Sequence, residues 1–95
     1  MPPVRLVVTI TAAPGKGAEL ARLMQPRLED VRKEPGCEQY ELFQSTERPD
    51  TLVLLERWTD EATLEAHSAL NRTRTPIAPE LRAAPGKAER YLVPE

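Results

Sequence analysis

The chain has one histidine and one tryptophan, and they stand nine residues apart in the run Thr51 to His67, TLVLLERWTDEATLEAH. A strand ending at Trp58, a turn through Thr59 and Asp60, and two helical turns to His67 bring the indole and the imidazole towards one pocket. Neutral imidazole, with an ordinary pKa near 6.5, is suited to take a proton from a substrate. Taking it from a phenol-like hydroxyl near 10 is uphill by about 3.5 pH units, on the order of 5 kcal/mol, and requires a pocket that stabilises the anion. His67 is therefore the candidate base, and Trp58 its companion, with an indole N–H able to orient a substrate oxygen. The plain alternative is a rim histidine bonded to a backbone carbonyl, beside a tryptophan that only packs the core.

Other side chains of this unit are candidates for substrate contact. Glu56 shares the strand face of Trp58, where an ionised carboxylate needs a partner, either an arginine or His67. Tyr40, if it shares that face, can donate its hydroxyl to a substrate, or else it is a core tyrosine whose hydroxyl reaches the surface. Leu54, on the face of Glu56, and Leu64, three residues before His67, are the apolar candidates. Arg72 and Arg74 lie in the following loop, within reach of an anionic substrate or simply solvated. Glu41 and Arg57 fall on the opposite face, where an interfacial ion pair is their expected role. Cys37 has no second cysteine and no neighbouring base, so it reads as a small buried hydrophobe. The chain has four glycines, no glycine-rich loop, and a single histidine and cysteine without ligand spacing, so neither a cofactor nor a metal is expected.

The elements that must position these groups follow from periodicity. Val4 to Ala12 alternates and is rich in β-branched residues, predicting a strand. From Gly17 to about Lys33, Leu20, Leu23, Met24, Leu28 and Val31 recur at three and four, predicting a helix with a kink or break at Pro26. Glu34-Pro35-Gly36 stops it. Cys37 to Ser45 and Thr51 to Trp58 form an antiparallel hairpin around the turn TERPD. A helix capped by Thr59 or Asp60 runs to Leu70 and ends near Asn71. Thr75 followed by Pro76 predicts a short second helix packed by Ile77 and Leu81, and Ala88 to Val93 a last strand. Right-handed crossovers then give an α+β, ferredoxin-like βαββαβ fold, with a four-stranded antiparallel sheet and its helices on one face. The other face, with Val7, Phe43, Val53 and Leu55, has no helix to cover it, which predicts a homodimer through the sheet face.

Ninety-five residues are enough for one domain, spanning 1–95, and one modest core. A net charge of −2 with no basic block argues against nucleic acid as a partner. No apolar run approaches the roughly 20 residues needed to cross a bilayer, so no membrane is expected. The lone cysteine and an N-terminus unlike a signal peptide point to a cytoplasmic protein.

The run EPGCEQYELFQS, followed by TLVLLERWTDEATLEAHSAL, resembles the antibiotic biosynthesis monooxygenase (ABM) domain family, which includes quinol monooxygenase-like proteins. Its most specific parts are Pro35-Gly36-Cys37 with Tyr40 and Glu41, then Glu56-Arg57-Trp58, then Leu64 and Ala66-His67. The resemblance implies a dimeric α+β barrel. In members of known activity it also implies cofactor-free and metal-free oxidation of a small phenolic or quinol-type aromatic by O2. The leading expectation is therefore a cofactor-independent monooxygenase, and the alternative a non-catalytic ligand-binding or dimerisation module. Haem binding or degradation is disfavoured, because no asparagine precedes Asn71 to provide the usual distal polar group. Two departures from the family stand out: Asn71-Arg72-Thr73 replaces a Pro-His-Phe-like segment, and Leu52 and Leu54 occupy the face where some active oxygenases carry an asparagine.

Overall fold

The computed structural model describes residues 2–94. Its elements run β1 (Val4–Thr11), α1 (Gly17–Val31), β2 (Cys37–Gln44), β3 (Thr51–Trp58), α2 (Glu61–Asn71), a 3-10 turn (Pro79–Leu81) and β4 (Lys87–Leu92). The strands form one antiparallel sheet in the order β2-β3-β1-β4. This is the expected ferredoxin-like βαββαβ arrangement, with β4 beginning one residue earlier than its hydrophobic run suggests.

Strand alternation sets the site. Along β3, Leu52, Leu54, Glu56 and Trp58 are buried while Thr51, Val53, Leu55 and Arg57 are only half-buried. Glu56 pairs with Leu6 of β1 on one side and Tyr40 of β2 on the other, so a carboxylate stands mid-sheet on the core face. A bulge between Cys37 and Gln39 lets Cys37 oppose Trp58 and Tyr40 oppose Glu56. Three residues of β2 thus span two of β3, and Cys37 and Tyr40 share a face that strict alternation would deny them. The same bulge changes an expected pair. Arg57 Nε donates to Glu38 at 2.9 Å, whereas Glu41 accepts from Gln39.

In α1, Leu20, Met24, Leu28 and Val31 are buried with Gly17, and Leu23 is left outside the stripe at 44% exposure. The break expected at Pro26 does not occur: the helix is continuous. Pro26 and Arg22 are both exposed, so the Arg22 carbonyl freed by the missing N–H faces water.

At the start of α2 the Asp60 carboxylate accepts from Thr63 N at 2.9 Å, and Thr63 Oγ1 accepts from Asp60 N at 3.3 Å. This reciprocal cap contributes about 1 kcal/mol and fixes where the helix begins. Gly36 lies against the same turn. Its φ is +81°, a Cβ there would come within 2.4 Å of the Thr63 side chain, and its carbonyl accepts from Thr59 N at 2.9 Å. Only glycine permits both the backbone conformation and the approach. The Glu34-Pro35-Gly36 loop is thereby held close to α2.

The short helix expected from Thr75 and Pro76 forms later, at Pro79–Leu81, because Pro79 takes the first position and Ala78 before it adopts a left-handed φ of 41°. The anticipated packing is nevertheless present: Leu81 is buried and Ile77 packs against the core. On the sheet face away from the helices, Val7, Val53 and Leu55 are half-buried, Phe43 is 45% exposed, and all of β4 is exposed. Among the described residues no helix is long and apolar enough to cross a membrane.

Candidate active site

His67 is one of two buried residues of α2, 5% exposed, and it projects onto the sheet beside Trp58. The two rings stack with centroids 4.5 Å apart and an interplanar angle of 28°. Tyr40 closes the cluster edge-on, 5.5 Å from His67 and 6.5 Å from Trp58. The nine-residue spacing, the β3–α2 turn and the β2 bulge together bring the three rings into one cluster.

Carboxylates stand at both imidazole nitrogens. Nδ1 lies 2.9 Å from Glu34 Oε1, and Nε2 lies 3.9 Å from Glu56 Oε1. A carboxylate only accepts, so the Nδ1 contact assigns the proton of a neutral ring to Nδ1 and leaves the Nε2 lone pair on the Glu56 side. Glu34 is itself held by Arg74, whose Nη2 is 2.7 Å from Glu34 Oε2. That oxygen makes no aligned hydrogen bond, so the contact is a close charge pair rather than a directed bond. Glu56 Oε1 accepts the Trp58 indole N–H at 2.9 Å. Burial pushes the Glu56 carboxyl above the usual carboxylate range; the Trp58 N–H and His67 oppose that rise, and Glu34 adds to it.

A cavity of about 440 Å³ opens onto this cluster. Tyr40, Leu54, Glu56 and His67 are in its walls, together with the guanidinium groups of Arg27, Arg74 and Arg82. Burial also pushes the Tyr40 phenol up, with the charges of Glu56 and Glu34 adding to it. Tyr40 therefore stays a hydroxyl donor, and among the described residues its oxygen has no hydrogen-bond partner. Behind His67 a smaller hollow of about 240 Å³ is lined by Glu34, Pro35, Asp60 and Leu70.

Four of the six residues singled out from the sequence thus share one cavity: His67, Glu56, Tyr40 and Leu54. The other two do not reach it. Trp58 is fully buried behind the imidazole and its N–H is taken by Glu56, so it does not orient a substrate oxygen directly. Leu64, one helical turn earlier, is packed in the core at 3% exposure. Glu56 has neither of its expected charge partners at bonding distance. It meets the indole instead, and the carboxylate on His67 is Glu34, which sequence reasoning read only as part of a helix stop. Arg27 and Arg82 were missed as well. Cys37 is half-buried and packs against the core, and burial raises its thiol above the ordinary value. Among the described residues no group of three or more His, Cys, Asp or Glu side chains is placed to hold a metal ion.

Residues 3–75 match the family described as antibiotic biosynthesis monooxygenase. Over 59 residues the chain is 36% identical to "Putative monooxygenase YcnE" of Bacillus subtilis, a stretch covering 62% of each protein. An uncharacterized Synechocystis protein is 27% identical over 100 residues, 98% of this chain and 65% of that one. The chain therefore spans less than two thirds of the length of these curated relatives. Among solved structures, PA3566 from Pseudomonas aeruginosa superposes with a TM-score of 0.82 at 31% identity, over 100% of this chain and 97% of the other.

Proposed function

The chain belongs to the antibiotic biosynthesis monooxygenase family, and on that footing we propose that it oxidises a quinol or other hydroxylated aromatic with O2. His67 serves as the base and the substrate as the sole reductant. The observation that carries this reading is the Glu34–His67 pair at 2.9 Å, with Nε2 turned to the cavity side beside Glu56.

In this reading Nε2 removes the phenolic proton. The resulting imidazolium is stabilised by Glu34 at Nδ1 and by the indole face stacked on it. Tyr40 donates its hydroxyl to a substrate oxygen, and Leu54 gives the ring an apolar wall. The electron-rich anion passes one electron to O2, and the substrate radical and superoxide combine at carbon. Loss of water from the resulting peroxide leaves a carbonyl where a CH2 stood. The balance is CH2 + O2 → C=O + H2O, in which carbon gives up the four electrons that oxygen takes. No external reductant is required.

Pairing of two copies through the uncovered sheet face completes the proposal. Its support is the apolar surface at Val7, Phe43, Val53 and Leu55. The reading is tested with the purified protein, oxygen and a panel of quinols and anthrones, where uptake above autoxidation is expected and its absence with every compound contradicts the proposal.

A further inference from the structure

The three guanidinium groups of the cavity differ in what neutralises them. Arg74 sits against Glu34. Arg27 donates from Nη2 to the Thr75 carbonyl at 2.8 Å, and Arg82 from Nε to the Ile77 carbonyl at 3.4 Å. Among the described residues neither of these two touches a carboxylate. A backbone carbonyl satisfies one N–H and leaves the charge in place, so each fork keeps its remaining donors. Two uncancelled positive charges thus line a half-enclosed cavity of a chain whose net charge is −2. Glu56 offsets them poorly, because burial disfavours its ionised form. Arg27 also acts at the Tyr40 end of the cavity, where its charge is among the influences that favour the phenolate.

We propose that the cavity selects an aromatic substrate that carries a carboxylate beside its hydroxylated ring, held by Arg27 and Arg82. This rests on the reading of the cavity as the oxidation site. A planar fork and a carboxylate match in geometry, and the fixed charges also stabilise the aryl oxide formed when His67 takes the proton. The apolar wall at Leu54 then meets the ring, and the two charged ends of the cavity fix its direction.

The test is equilibrium binding to the full chain of two air-stable probes that differ by one group, 1-hydroxy-2-naphthoate and 1-naphthol. Quenching of the single tryptophan reports occupancy. The naphthoate is expected to bind about tenfold or more tightly at low salt, with the gap narrowing at high salt. Arg27→Gln and Arg82→Gln should each weaken the naphthoate severalfold and leave the naphthol unchanged, and 1-naphthyl phosphate shows whether a tetrahedral anion serves as well as a planar one. Phosphate binding more tightly than carboxylate, equal binding of naphthoate and naphthol, equal losses for both in the variants, or no binding of either overturns the proposal. Oxygen uptake does not enter this readout: discrimination that survives in His67→Ala supports the anion site even if no substrate is oxidised.

Discussion

Glu34 Oε1 lies 2.9 Å from His67 Nδ1, joining a loop before β2 to the second turn and beyond of α2 across 33 residues of sequence. The contact fixes the ring orientation and places the lone pair of a neutral imidazole on the side of Glu56 and the cavity. Glu34 does not line that cavity, so its proposed role is to position the base. Glu34→Gln should lower kcat by about 10- to 100-fold with little change in KM. A fall confined to KM would assign Glu34 to substrate binding instead.

Glu56 gives a pH signature in stability. Burial raises its folded-state pKa above the ordinary 4.5, so the folded chain keeps a proton that the unfolded chain releases. Stability from this group is complete below about 4.5 and falls as pH rises through the window up to the raised value. Glu56→Gln preserves an acceptor for the Trp58 N–H and removes the titration. Its thermal midpoint should therefore vary less with pH across that window than that of the parent, as followed by circular dichroism. Parallel curves for the two proteins would contradict this assignment.

Tyr40 offers the cavity a hydroxyl with no protein partner among the described residues. Tyr40→Phe should leave stability within about 1 kcal/mol of the parent, since no internal hydrogen bond is lost. It should lower kcat/KM for a hydroxylated substrate by about tenfold. An unchanged kcat/KM would remove Tyr40 from substrate recognition.

Gly36 holds the Glu34 loop against α2 through a φ of +81° and a contact that no Cβ can enter. Gly36→Ala should cost about 1–3 kcal/mol of stability. Because the same loop carries Glu34, activity measured well below the melting midpoint should fall too. Loss of stability with full activity would show that the loop does not position the base.

Phe43, at 45% exposure on the uncovered face, tests the partner surface. Sedimentation should give a dimer for the parent chain and a monomer for Phe43→Asp. A monomeric parent at micromolar concentration would remove the proposed pairing.

The alternation of β1 and β3, the α1 stripe and the cap at Asp60 were all legible in the sequence, because each is a local pattern with a fixed period. So was the meeting of Trp58 and His67, which one turn and two helical turns dictate. The identity of His67's carboxylate was not. Glu34 sits in an aperiodic loop, and its direction depends on Gly36 lodging against Thr63, a tertiary contact with no sequence period. The β2 bulge was hidden for a related reason: one extra residue leaves composition unchanged while it moves the Arg57 partner from Glu41 to Glu38. Arg27 falls on a helix whose apolar stripe drew the reading inward, and Arg82 follows a 3-10 turn expected several residues earlier. Leu64 and Trp58 were assigned to the pocket by proximity to His67, but tight packing places one in the core and the other behind the imidazole.

The most direct test compares oxygen uptake by the parent chain and His67→Ala on any quinol or anthrone that the parent oxidises, at matched thermal stability. Without the imidazole the proton must leave to water, and kcat should fall by about 100-fold or more while substrate binding persists. Equal rates in the two proteins would contradict the assignment of His67 as the base.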